Sequence, residues 1–110
     1  DGLGFDIVFK FPSALFTSTN RYHHHIALNI WNGEEAKRPK ENSVGLNWFN
    51  LVFPDDVSRS KTAERIQEIG GTVREDAETI ITEDPSGNVI LMLSKKCRSK
   101  HCRLIFTVLF

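Results

Sequence analysis

LNWFNLVFPDDVSRSKTAERIQEIGGTVREDAETIITEDPSGNVILML, residues 46–93, changes its hydrophobic period twice, and those changes decide the fold. Residues 46–53 are mostly apolar and end at Pro54, which predicts a strand. Asp55-Asp56 then offers a helix cap, with charge of the sign a helix N-terminus favours. Val57, Ala63, Ile66 and Ile69 follow at roughly helical spacing, and Gly70-Gly71 marks the stop, so the helix is expected over 56–69. Three strands follow at 72–75, 79–83 and 88–93, the last two joined by the turn Asp84-Pro85-Ser86-Gly87-Asn88. The stretch is one complete βαβββ unit.

Working outward, residues 5–11 alternate, with Phe5, Ile7, Phe9 and Phe11 on one side and Asp6, Val8 and Lys10 on the other. Pro12-Ser13 turns the chain into a short strand at 14–17, and Ser18-Thr19-Asn20 turns it again into a strand at 23–31. Asn32-Gly33 ends that strand, and the polar residues 33–45 form a linker. The first half therefore reads as the same unit without its opening strand and helix. The fold class is α+β, with two βαβββ-type modules, the first lacking its opening strand and helix. An uncovered sheet edge and an apolar face are expected there.

The 110 residues suit one domain, and 14 basic against 14 acidic side chains give no argument for nucleic acid or a membrane surface. Apolar runs such as 89–93 are too short to span a bilayer, and Asp1-Gly2-Leu3-Gly4 has no basic, apolar leader character. A cytoplasmic location is the default expectation. Cys97 and Cys102 lie in the 95–110 tail, basic and then apolar, and read as ordinary thiols. The tail reads as either an added strand or a departure from the domain at 1–94.

Asp1-Gly2-Leu3-Gly4-Phe5, the histidine-rich Tyr22-His23-His24-His25-Ile26-Ala27-Leu28-Asn29, Asn42-Ser43-Val44-Gly45-Leu46 and the turn 84–88 occur in an order and at intervals that resemble the vicinal-oxygen-chelate superfamily of glyoxalases, bleomycin-resistance proteins and extradiol dioxygenases. The likeness covers residues 1–94 and is strongest to the C-terminal domain of catechol-2,3-dioxygenase-like proteins. It implies paired modules forming a curved mixed sheet, a cup, around a divalent metal, Fe(II) in the dioxygenases, that binds two neighbouring oxygens of a small substrate.

What the resemblance implies for the site is mixed. One ligand belongs to an opening strand that precedes this sequence. Trp48 stands at the position of a histidine ligand and Leu91 at that of a glutamate, and neither can bind a hard or borderline cation. The histidines remain. Strand alternation puts His23, His25, Ala27 and Asn29 on one face, with His24 on the other. His23 and His25, with His24 in reserve, are the candidate catalytic groups, and His23 and His25 the candidate metal ligands. Tyr22, Asn29, Trp31 and Trp48 are the candidate substrate contacts. A polar surface strand and aromatic core residues are the plainer readings of the same side chains.

The expected function is that of a glyoxalase/dioxygenase-superfamily domain, working as a metal-dependent dioxygenase or lyase within a longer protein, on vicinal oxygens of a small aromatic or dicarbonyl substrate. The alternatives are a non-catalytic ligand-binding module of the bleomycin-resistance type and a structural half-domain supporting a catalytic N-terminal domain. A homodimer or a preceding N-terminal segment is the expected macromolecular partner.

Overall fold

Asp55 starts the single helix of the described residues, as its sequence predicts. In the computed structural model, which describes residues 2–40, 42–95 and 107–109, the Asp55 carboxylate accepts the Ser58 backbone N–H at 2.7 Å and α1 runs Asp56–Glu68. Its C-terminus closes with the paired bonds of a Schellman turn, Gly71 N–H to Ile66 O at 2.8 Å and Gly70 N–H to Gln67 O at 2.9 Å. Gly70 sits at φ +84°, the left-handed conformation that this cap requires. Cys97 and Cys102, and most of the 95–110 tail, lie outside the described residues.

The chain divides into two units, Leu3–Arg38 and the residues from Pro39 onward. The first is a three-stranded antiparallel sheet in the order β1-β2-β3, with β1 Asp6–Phe11, β2 Ala14–Ser18 and β3 Ile26–Asn29. β1 pairs Ile7 with Thr17 and Phe9 with Phe16, so Val8 is bulged out and the alternation expected across 5–11 is interrupted there. β3 is shorter than the 23–31 expected. Asn20 and Arg21 both take positive φ, 56° and 57°, and widen the turn, so Tyr22–His24 stay off the ladder. At the other end the Asn29 carboxamide accepts the Trp31 N–H at 3.2 Å and bends the chain away.

The second unit is the βαβββ module: β4 Trp48–Phe53, α1, β5 Val73–Asp76, β6 Thr79–Glu83 and β7 Val89–Ser94. A three-residue strand, β8 Thr107–Leu109, adds to it, and the sheet order is β5-β6-β7-β4-β8. The module's first and last strands, β4 and β7, lie parallel, with Trp48 beside Val89, Asn50 beside Leu91 and Leu51 beside Met92. β8 runs antiparallel along the other edge of β4.

Alternation sorts this sheet into two faces. Leu51, Met92 and Ile80 form a row across three strands, with Thr82 and Ile90 beside it, and all five are buried. The buried α1 residues are Thr62, Ala63 and Ile66, so this is the face the helix covers. Met92 has 0% of its surface exposed, a burial that stabilises by about 1.5–3 kcal/mol. The two buried threonines are satisfied: Thr62 Oγ1 donates to Ser58 O at 3.0 Å and Thr82 Oγ1 to Thr72 O at 2.7 Å. Trp48, Asn50, Val52, Leu91 and Leu93 point to the opposite, less covered face.

Candidate functional site

The histidine-rich segment folds into a small aromatic cluster at the end of the first sheet. Tyr22 stacks on His25 with ring centroids 5.0 Å apart and planes 24° from parallel. His23 lies 4.1 Å from Tyr22 and 4.6 Å from His24, and His24 meets Phe16 edge-on at 5.2 Å. Phe5 approaches His25 edge-on at 6.1 Å. Tyr22, His23, His24 and His25 are thus neighbours, His24 included, although alternation put it on the opposite face from His23 and His25. Only His25 keeps the alternation read from the sequence, because it is one register step beyond the Thr17–Ile26 pair and its N–H bonds Thr17 O at 2.8 Å.

Two neighbours define the state of that ring. The Thr19 backbone N–H donates to His25 Nδ1 at 3.1 Å, and the fully buried Ser18 places its hydroxyl 3.1 Å from the same nitrogen. The Ser18 hydroxyl also reaches Thr19 O at 2.9 Å. Sequence reasoning passed over Ser18 and Thr19. The only sequence signal was their turn-forming character, and the register that sets Ser18 opposite His25 is a tertiary fact.

Asn29 and Trp31 do not join the cluster. Asn29 ends β3, about 13 Å from His25 at the usual strand rise, and Trp31 lies two residues beyond it. Asn29 is occupied by its bond from Trp31 N, and the Trp31 indole, 72% exposed, donates to Ser13 Oγ at 3.4 Å. Trp48 belongs to the second unit. It shares the open face of that sheet with Leu91, two residues further along the adjacent strand. Beside them Asn50 Oδ1 is buried without a hydrogen-bond partner among the described residues.

These side chains do not fit a divalent metal. No group of three His, Cys, Asp or Glu side chains converges among the described residues. The positions that the resemblance assigns to ligands carry indole and isobutyl groups, which offer no donor to Fe(II) or Zn(II). No step through a bound metal is therefore derived for these residues.

The second unit also has a cleft of about 390 Å³ at the N-terminal end of α1, lined by Asp56, Arg59, Glu78, Thr79, Leu93 and Ser94 among others. Arg59 pairs with Asp56 at 2.9 Å and donates to Glu78 O, and Ser94 Oγ donates to Asp56, so its charges are spent tying the helix to the β5–β6 hairpin and the end of β7. Beside it, the Ser58 N–H holds the Asp55 carboxyl below its ordinary value. Among the described residues, no helix is long and apolar enough to cross a membrane.

No protein-family profile matches the chain. It is 39% identical over 87 residues to catechol-2,3-dioxygenase of Bacillus subtilis strain 168, a match covering 77% of this chain and 30% of that protein. The chain thus spans under a third of that relative. Lactoylglutathione lyase of Agrobacterium tumefaciens superposes with a TM-score of 0.61 at 18% identity, over 87% of this chain and 79% of that one. A possible glyoxalase of Bacillus cereus superposes with a TM-score of 0.55 at 21% identity, over 84% and 80%. At such identities the structural likeness is one of fold. Taken with the parallel β4–β7 pairing, the α1 crossover and the catechol-dioxygenase match, it gives this chain the vicinal-oxygen-chelate superfamily fold, that of the glyoxalases.

Proposed function

We propose that the chain is the part of a longer catechol-2,3-dioxygenase-like protein that contacts a small substrate bearing vicinal oxygens, and that Tyr22 and His25 make the contact. The observation that supports this best is the stacked Tyr22–His25 pair, held in place through His25 Nδ1, in a chain 39% identical to a catechol dioxygenase. An aromatic diol or dicarbonyl offers a flat face to the tyrosine ring and oxygen acceptors to an imidazole N–H. His23 and His24 complete the polar side of the cluster. In this reading Fe(II), where the parent reaction uses it, takes its ligands from residues outside this set.

The test is calorimetric titration of untagged protein with catechol, together with metal analysis by mass spectrometry. Saturable catechol binding that weakens by tenfold or more in Tyr22→Ala and His25→Ala is the expected result. Catechol binding unchanged in both variants would sink the assignment. Near-stoichiometric metal, lost on His23→Ala and His25→Ala together, would restore a metal role to the histidines.

A second reading, a non-catalytic binding module of the bleomycin-resistance type, is favoured by one observation: Trp48 and Leu91 replace both ligand positions on the open face of the second sheet. Tight aromatic binding lost on Trp48→Ala, and not on His25→Ala, identifies it. In either reading the exposed Phe9, Phe11 and Leu28 of the first sheet support pairing with a second copy or with a further segment of a longer chain. Solution mass by light scattering tests the homodimer, and a strict monomer with a cooperative melt removes it.

A further inference from the structure

We propose that β8 is a guard strand: it occupies the outer edge of β4 and keeps a second copy of this chain from adding there, β4 against β4. This role belongs to the second unit alone and is independent of the ligand proposed above.

The two sides of the β5-β6-β7-β4-β8 sheet end in different residues. A strand edge is a row of backbone N–H and C=O groups without partners, and another chain can pair with it. On one side β5 reads Val73-Arg74-Glu75-Asp76, and its charged residues are all exposed. Charges on an edge strand oppose pairing with another chain. On the other side β4 reads Trp48-Phe49-Asn50-Leu51-Val52-Phe53, with no charge, no proline and no glycine. A six-residue segment of that composition is suited to pairing with copies of itself. It carries no charge to protect it, and β8 lies along it instead. The two run antiparallel, with Leu109 beside Trp48, Val108 beside Phe49 and Thr107 beside Asn50. β8 has 3 residues against the 6 of β4, so its own outer edge is half as long a template. A short edge strand is itself a protective device.

A bare β4 would fit a second β4. Residues directly opposite in an antiparallel ladder share a face. A two-fold axis at Asn50 meets that condition: it sets Asn50 against Asn50 of the second copy, Phe49 against its Leu51 and Trp48 against its Val52. The buried Asn50 Oδ1, which has no partner among the described residues, would then lie opposite a carboxamide donor. Such a contact uses the same patch on both copies and closes at a pair. β8 offers a shorter ladder than this, and it prevails because it belongs to the same chain. A tethered segment acts at an effective concentration on the order of mM, which a free second copy does not reach in dilute solution.

The experiment compares the solution mass of the full chain with that of full-length variants in which β8 is detached, by sedimentation equilibrium at matched concentration. Alternate residues of an antiparallel strand turn their N–H groups toward the neighbour. Of Val108→Pro and the double variant Thr107→Pro, Leu109→Pro, one therefore deletes the N–H groups that face β4. At least one of them should weigh twice the parent, whatever the parent's own state, because a bare β4 adds one two-fold contact. Parent mass in both overturns the guard role. Trp48→Lys, added to the heavier variant, places a charge on the bare edge, the device that β5 uses, and should return the mass to that of the parent. A mass that stays doubled puts the new contact elsewhere and overturns the role as well. Should the proline variants fail to fold, hydrogen exchange on the parent chain decides. At least one β8 amide should exchange about fivefold or more slowly than in a free peptide of the same sequence, the factor that one net hydrogen bond supplies. Free-peptide rates throughout 107–109 would show that no strand guards the edge.

Discussion

If Trp48 and Leu91 stand where a histidine and a glutamate would bind a metal, restoring those two side chains should create metal affinity. The perturbation is the double variant Trp48→His, Leu91→Glu. The register sets its geometry, with Trp48 beside Val89 on parallel strands and Leu91 two residues further along the same face. With strands ~4.8 Å apart and a rise of ~3.3 Å per residue, the two Cα atoms lie roughly 8 Å apart. An imidazole and a carboxylate on that diagonal reach one ion at the usual Zn–N and Zn–O lengths of about 2.0–2.2 Å. Four-ligand structural zinc sites bind with about 10–16 kcal/mol, so two ligands with water completing the shell should supply about half. That range, about 5–8 kcal/mol, corresponds to a Kd between ~0.2 mM and ~1 µM. Calorimetric titration of Zn(II) into untagged double variant, each single variant and the parent measures it. The double variant should bind at least tenfold more tightly than either single variant. A double variant no tighter than the parent would refute the claim that these positions share a ligand-competent face.

Three further outcomes follow from the second unit. Leu51→Ala, at 2% exposure in the middle of the buried row with Met92 and Ile80, should cost about 3 kcal/mol and lower Tm by more than 10 °C, read by thermal denaturation. A loss below about 1 kcal/mol would mean that the row is not the core. Asn50→Leu removes a buried carbonyl oxygen without a partner among the described residues and should leave stability unchanged or raise it by about 1 kcal/mol in urea, and a clear drop would show that Oδ1 has a partner in solution. Asp55 has a lowered folded-state pKa, so its charged cap stabilises fully above the ordinary carboxylate value of about 3.9 and is lost as pH falls through the lower folded value. Asp55→Asn keeps a capping oxygen without the titration and should flatten that acid limb of the stability curve, and superimposable limbs would contradict the cap assignment.

The βαβββ unit was legible because each of its boundaries is enforced locally. Asp55 caps within three residues, Gly70 and Gly71 close the helix against Ile66 and Gln67, and Asp84 bonds both the backbone and the side chain of Asn88 in the last turn. The first unit was less legible for the opposite reason. The Val8 bulge and the shortness of β3 depend on which residue of one strand faces which residue of another, and two consecutive positive φ values at Asn20 and Arg21 prolong the turn expected at 18–20, so that the expected strand loses its first residues.

The same distinction governs the site. That Trp48 and Leu91 share a face follows from period alone, because each strand alternates and the faces are set by where Leu51 and Met92 are buried. That His25 differs from His23 does not, since alternation puts both on one face and their side chains are identical. What separates them is a backbone N–H six residues earlier, and a backbone group has the same identity at nearly every position in the sequence. The chemistry of a histidine depends on which of its nitrogens holds the proton, so the most consequential property of this cluster lies in a contact that side-chain identity cannot encode. A substitution scan restricted to the histidines would accordingly miss that contact, whereas Thr19→Ala keeps the N–H and Thr19→Pro removes it.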